Sequence, residues 1–412
     1  MDQVRAFLIA MLMVFPLSTL AHAGQFSLHG FIQGNYAPRI SGNGPNGDRL
    51  LLGEERTQLE LEARDLPAGV GFFAEAGFFH DDFDGEWDKD LRELYADYAD
   101  RLFHVRVGRQ ILTWGIADLL FLNDLFPKNW TALFYGRPLE YMKEGSDALK
   151  IDLYPRWASV EVVASFFRED RLPGDKRFFF FNPLSRAKTA GRDKPGKRLG
   201  DVEVAARVSR YLLGVDTCVY GYYGFFRSPG MRPLSPQEVT FFFPRLAVYG
   251  FSIQGSALGG VAGMEASYYD SLDDRAGTDP VIPNSQTRFL LNYQRQVWEE
   301  FTVGVQAYGE YMHHYGRYRG SVPPGFRSED RFRPMLTLRL TQFVWHQTLR
   351  LSFFAFYGPE GGDSYLIPEV KYNVTDQLWI ALGANIFSGE RRAFFGQFDR
   401  NDNIYSVIRY EF

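Results

Sequence analysis

Few side chains in this sequence are spaced for reaction chemistry. His313 and His314 are adjacent, so on a strand they would point to opposite faces and make a poor metal pair. The segment Asp81-Asp82-Phe83-Asp84-Gly85-Glu86 has the acid density of a calcium loop. It places Gly85 too early, however, and has no glutamate at the twelfth place. His29, His80, His104 and His346 are scattered, and no Ser–His pairing can be argued from their positions. H-E-x-x-H, G-x-S-x-G and phosphate-binding glycine motifs are absent. No enzymatic activity, cofactor or metal site is therefore expected. Cys218 is the only cysteine, which rules out an internal disulfide, and it reads as a wall residue of a ninth strand.

The informative side chains are charged and recur every second residue. One face of 56–64 carries Arg56, Glu60, Glu62 and Arg64, and the other carries Thr57, Leu59, Leu61 and Ala63. Period two returns at 70–78, 201–209, 302–312, 331–341, 348–357 and 377–387, which predicts strands rather than helices. Short connections fall near 65–69, 99–102, 154–157, 210–213, 255–259, 297–300, 342–347 and 373–377. Long ones fall near 37–49, 80–90, 115–145, 169–199, 228–240, 271–283, 314–330, 358–363 and 388–401. Eight short and nine long connections predict eighteen strands, or sixteen if the pairs near 228–259 and 342–363 are misread. Both termini then lie on the short-turn side. Alternating loop lengths and strands of about ten residues are the pattern of a transmembrane antiparallel up-and-down β-barrel, with short periplasmic turns and long extracellular loops. A soluble β-sandwich would not explain that alternation.

Composition agrees. The 412 residues are 45% hydrophobic, 17% aromatic and 23% charged. A mean hydropathy of −0.24 excludes a bundle of membrane helices. With 45 basic and 50 acidic residues, the net charge of −5 gives no reason to expect nucleic-acid binding. Residues 1–23 read as a signal peptide: Arg5, an apolar run over 6–17 and the small-x-small site Ala21-His22-Ala23. Pro16 and the shortness of the run argue against a membrane anchor. The remainder, 24–412, reads as one barrel domain in the outer membrane of a Gram-negative bacterium, in contact with lipid and lipopolysaccharide. A loosely held divalent ion bridging lipopolysaccharide would suit the acidic 81–86 segment better than a calcium loop. The chain ends on Phe412, and a terminal aromatic resembles the ends of outer-membrane barrels generally, where it aids recognition by the barrel-assembly machinery.

Eighteen strands enclose a bore too wide for wall side chains to fill. The first strand candidate follows the leader closely, so any obstruction is expected from loops. The alternation assigns Arg56, Glu60, Glu62, Glu75, Glu93, Asp97, Arg106, Arg331, Arg333, Arg339 and Arg350 to the lumen. The acids concentrate on strands two to four, and the last four arginines on strands fourteen and fifteen, which implies a transverse field that would orient charged solutes. Such charges also hydrate any water-filled barrel, and Arg–carboxylate ladders would stiffen its wall. Arg109 shares the parity of the lipid-facing Phe103, Val105 and Val107. A bulge at Gly108 is expected to turn it inward, the alternative being a place at the outer rim. The segment 115–145, with Asp118, Asn123, Asp124 and Lys128, is long enough to fold inward as a constriction. The segment 168–198 holds ten bases against four acids, and its Phe178–Phe181 run is expected to pack against the rim or a partner.

Gly108-Arg109-Gln110-Ile111-Leu112-Thr113-Trp114-Gly115, followed by Asp118 and Phe126-Pro127, resembles a broad, largely uncharacterised group of proteobacterial porin-like barrels with a G-R-Q-x-x-x-W-G strand end. The resemblance covers roughly 105–155. In size the chain also resembles the 18-stranded alginate-exporter and substrate-specific porin classes. The expected function is passive diffusion of small hydrophilic, charged solutes, with homo-oligomers common among such barrels. Export of an anionic polymer would need a dominantly basic bore. A structural sheath around an electron-transfer partner would need an open one.

Overall fold

The computed structural model describes residues 25–174, 176–181, 188–235, 237–324, 326 and 328–412. The expected leader, and Arg186 of the basic loop, lie outside them. The strands, numbered in chain order, are β1 (Gln25–Pro38), β2 (Leu50–Leu66), β3 (Val70–Asp81), β4 (Glu86–Ala99), β5 (Phe103–Ile111), β6 (Gly145–Leu153), β7 (Ser159–Ser165), β8 (Lys188–Asp193), β9 (Glu203–Leu212), β10 (Val215–Phe225), β11 (Gly230–Ser235), β12 (Glu238–Phe242), β13 (Arg245–Ala257), β14 (Gly260–Ser271), β15 (Gln286–Trp298), β16 (Phe301–Met312), β17 (Phe332–Val344), β18 (Leu349–Gly358), β19 (Asp363–Asn373), β20 (Leu378–Ser388) and β21 (Asn403–Glu411). Two short helices, α1 (Trp130–Phe134) and α2 (Tyr315–Ser321), lie in loops. No helix among the described residues is long and apolar enough to cross a membrane; the crossings are made by strands.

Eighteen of the strands form one antiparallel sheet that closes on itself, all except β8, β11 and β12. The seam is β1 on β21, in register from Tyr36 opposite Ser406 to Phe31 opposite Glu411. The backbones of Gly30 and Phe412 exchange two hydrogen bonds of 2.9 Å beyond it. Gly30 is required there: a Cβ would sit 2.6 Å from the Gln58 carbonyl and 2.9 Å from the Phe412 ring. Closure leaves no unpaired edge, the condition for strands in hydrocarbon.

The alternation sorts the side chains as the sequence predicts. On β1, Leu28, Ile32 and Tyr36 face out, and Gln33 and Asn35 are buried inside. The short turns are tight. Leu213-Gly214 and Leu258-Gly259 have positive φ at both positions, the two-residue hairpin geometry that matches strand twist. Exposed Tyr211, Trp298 and Trp345 ring this end, as interfacial aromatics do.

Three expectations about loops need correction. The connection placed as long at 358–363 is only the four-residue turn 359–362, because β18 and β19 pair out to Gly358 and Asp363. The connection placed at 80–90 is only the four-residue turn 82–85, because β3 and β4 pair out to Asp81 and Glu86. The region 228–240 is not plain loop. There β11 and β12 form a hairpin to which β8 adds in parallel, so backbone groups of two long loops satisfy each other outside the barrel.

Leu382 lies mid-strand on the outward face of β20 and Val374 just past the end of β19. Leu382→Arg should lower folding stability in lipid vesicles by about 2–4 kcal/mol and Val374→Arg by about 0–1, measured by denaturant titration of refolding. Equal costs at the two sites would contradict this placement of the membrane.

Candidate channel constriction

The segment 112–144 leaves the top of β5 and folds into the bore. Its first part is fixed to one wall. The Trp114 indole donates to Glu161 at 2.6 Å, the Ile116 amide donates to Glu265 at 2.6 Å, Ser267 donates to Asn123 Oδ1 at 2.8 Å, and Tyr269 donates to the Leu122 carbonyl at 2.6 Å. Asp118 pairs with Arg339 of β17 at 2.9 Å. Helix α1 then begins, its Ala132 amide capped by Asn129 Oδ1 at 3.0 Å. Five residues are too few for a helix to hold itself, and the far wall supplies the rest. The Phe134 carbonyl accepts from Asn385 at 3.0 Å and Asn403 at 3.2 Å, and the Leu133 carbonyl from Tyr365 at 3.3 Å. The Phe134 ring sits among Tyr365, Phe387, Phe398 and Phe178. Gly136, with φ of 69°, lies so close to the Tyr405 ring that a Cβ would overlap it. Arg137 then pairs with Glu54, Tyr141 donates to Gln58 at 3.0 Å, and Glu140 accepts from Arg409 at 2.5 Å.

In ring order β14, which holds Glu265, Ser267 and Tyr269, is the eleventh strand, and β2, which holds Glu54 and Gln58, is the second. Strands nine steps apart in a ring of eighteen are opposite, so the loop crosses the whole bore.

The 166–202 loop locks this crossing from above. Lys128 and Trp130 donate to Asp170 at 2.8 and 3.2 Å. Burial pushes the Asp170 carboxyl above the usual range, only partly offset by the Lys128 amide and ammonium. Arg177 bridges Asp81 at 2.7 Å and Asp84 at 2.6 Å. Burial lowers its pKa, but Tyr135 and the two carboxylates outweigh that and hold it above the ordinary value. Phe178 is buried among Phe134, Tyr135 and Phe398, so the phenylalanine run packs on the crossing loop. The bases of this loop are widely paired: Arg168 and Arg171 with Glu144, Arg192 and Lys194 with Glu169, and Lys197 with Asp147.

The residues singled out from the sequence fall into four groups. Glu60 and Glu75 line a cavity of about 530 Å³ at the periplasmic side of the crossing, with Gln58, Glu140, Arg409 and Glu411. Glu62 pairs with Arg64 at 2.5 Å, Glu93 accepts the Ile111 amide at 2.7 Å, Asp97 lies 2.8 Å from His104, and Arg106 stacks 4.0 Å from the Tyr95 ring. The arginines of β17 and β18 have acids opposite them on neighbouring elements. Arg333 pairs with Glu310 at 2.5 Å, Arg350 with Glu369 at 2.6 Å, and Arg339 with Asp118. Of the loop candidates, Asp118 is partly exposed. Asn123, Asp124 and Lys128 are buried, the last two as an ion pair of 2.9 Å, and they hold the loop's shape.

Two positions differ from the expectation. Arg109 does not turn inward. It stands opposite Leu94 and Asp147 on the outward register and pairs with Asp147 at 2.8 Å near the outer rim. Gly108 does have a φ of 130°, yet the pairing with β6 continues without a shift, and Gln110 is the buried neighbour. Arg331 precedes β17, and its guanidinium lies over the ring of Tyr311, which pairs with the exposed Phe332. The shift in register lies instead in β4, opposite Glu75 and Ala76. It brings Arg92 inward to Glu75 at 2.8 Å and to the Glu140 carbonyl at 2.9 Å. Simple alternation puts Arg92 on the lipid side, and the bulge that turns it inward has no signal in the local pattern, since Arg109 shares that parity and makes none. A cavity of about 70 Å³ beside the loop is lined by Arg56, Arg92, Arg137 and Arg171 together with Asp88, Asp90 and Glu144. Arg56 Nη1 and Arg137 Nε have no hydrogen-bond partner among the described residues.

No family model and no curated protein matches the sequence. Solved structures match the fold over 94% of the chain. Acinetobacter baumannii OccAB3 is 10% identical, with a TM-score of 0.57 and 99% of its own chain covered. Pseudomonas aeruginosa OccK2 (OpdF), solved in complex with glucuronate, is 9% identical with a TM-score of 0.60 and 98% covered. Pseudomonas aeruginosa OpdK, solved with vanillate, is 10% identical with a TM-score of 0.56 and 98% covered. These neighbours are outer-membrane porins. The fold is that of an outer-membrane β-barrel, and the neighbours named here are substrate-specific porins.

Removing Asn385 and Asn403 together (both to Ala) strips the donors from the Phe134 carbonyl. The expected result is a cost of about 1–3 kcal/mol for the group left unpaired, with larger and noisier conductance steps in planar bilayers as α1 detaches. Unchanged conductance would mean that α1 does not limit the path.

Proposed function

We propose that this barrel is a passive channel for small hydrophilic solutes that carry ionised groups, selecting by size and charge without chemistry. The observation that carries the reading is the loop crossing inside a closed bore. It leaves confined, charged space rather than a free tube. A small cavity beside the loop, lined by Arg56, Lys89, Arg92, Arg137 and Arg171 and by Asp88, Asp90 and Glu144, supports a charged group on the solute, because it presents ionised side chains of both signs in a confined setting. Glucuronate and vanillate, the ligands solved with two of the structural neighbours, are both small carboxylates. On the periplasmic side, Glu60, Glu75, Glu140 and Glu411 face Arg409. A solute would therefore meet groups of both signs at two depths.

The crossing speaks against the two rival readings. A polymer exporter and a sheath around a threaded partner both need an unobstructed bore, and here the loop is tied to opposite walls by hydrogen bonds, ion pairs and an aromatic cluster.

The test is single-channel recording of the purified barrel under a salt gradient, paired with vesicle uptake of glucuronate and of an uncharged sugar of similar size. Small, steady steps and faster glucuronate uptake are expected. Arg339→Glu sets two like charges against each other at Asp118, so it should shift the reversal potential towards cations and change the step size. A barrel that inserts correctly yet passes neither ions nor solutes would overturn the channel reading.

A further inference from the structure

The acidic turn 81–86 is divided by the fold. Asp81 and Asp84 go to Arg177 on the loop side. Asp82 turns the other way, onto the outer wall. There β2 and β3 set Glu55 opposite His80, and the Asp82 amide bonds to the Gly53 carbonyl at 2.8 Å. His80 and one carboxylate oxygen from each acid lie within 4.8 Å of one another, the one such mixed group among the described residues.

His80 Nδ1 is 3.4 Å from Glu55 Oε2 and 3.2 Å from Asp82 Oδ1. A ring nitrogen carries at most one hydrogen, so it cannot donate to both oxygens. Metal–ligand bonds of about 2.1 Å in a tetrahedron place their ligands roughly 3.4 Å apart, close to the two His80–carboxylate distances, and the two carboxylate oxygens lie within 4.8 Å of each other. Neither Glu55 nor Asp82 has a Lys or Arg ion-pair partner among the described residues. The group faces outward at the edge of the apolar belt, beside Tyr36, which donates to Glu55, and the exposed Trp87, whose ring is 5.3 Å from the imidazole. Two carboxylates that share a single imidazole as their one basic partner carry an excess of negative charge, which a bound cation would neutralise.

We propose that Glu55, His80 and Asp82 bind one divalent cation of the zinc class on the outer wall, with a fourth position open at the headgroup level. One imidazole and two carboxylates suit such an ion. Calcium would need six to eight oxygens, which these residues do not supply.

The full barrel, folded in detergent micelles, is titrated with Zn²⁺ against a chromophoric zinc indicator, and separately with Co²⁺ while its visible absorption is recorded. One equivalent should bind, with the intense cobalt band of a four-coordinate site. His80→Ala and Glu55→Gln should each weaken binding by about tenfold or more, and His346→Ala, on a periplasmic turn, should not. The heat-dependent gel mobility of a folded barrel confirms that each variant is folded. Zinc binding that survives in folded His80→Ala would overturn the assignment. So would the absence of binding, or displacement of zinc by equimolar calcium.

Discussion

Backbone hydrogen bonding in a medium without water is the constraint on which the rest of the structure depends. Each strand must satisfy its amides from both neighbours, and the last must return to the first. The β1–β21 seam accomplishes this, extended by the Gly30–Phe412 exchange, where only glycine leaves room for the terminal ring. The alternation of side chains is a consequence. With the outside committed to lipid, polar residues are confined to the lumen.

Closure at eighteen strands creates a second problem, a bore wider than wall side chains can fill. The chain resolves it with one loop that spans from β14 to β2. The loop is buried enough to need its own core, which Phe134, Tyr365, Phe387, Phe398 and Phe178 provide. It is irregular enough to need external partners for its carbonyls, which Asn385, Asn403 and Tyr365 provide. The wall thus reads the loop backbone much as a binding site reads a peptide, and rigidity of the constriction follows.

Charge is distributed under the same constraint. Lumen arginines have carboxylates within reach on the next strand or on the loop, which limits the cost of holding charge near a low-dielectric wall. Single guanidinium nitrogens are nevertheless left over at Arg39, Arg56, Arg106, Arg137 and Arg350 among the described residues.

The sequence by itself determined the barrel. Period two and the spacing of the connections suffice for strand number and most face assignments, because these depend on local alternation; the length of individual connections does not follow, since those expected to be long at 80–90 and 358–363 are four-residue turns. It also located the crossing loop and its acidic and basic residues. It did not determine which way Arg109 points, since Gly108 permits a bulge that the β5–β6 pairing does not use. Nor did it reveal Arg92, whose inward position depends on a register shift against β3. The partners of Arg339 and Arg350, the division of the 81–86 acids between Arg177 and His80, and the reach of the loop to the far wall were decided only in three dimensions. Each depends on which strands and loops closure brings face to face, across sequence separations over which no local pattern carries information.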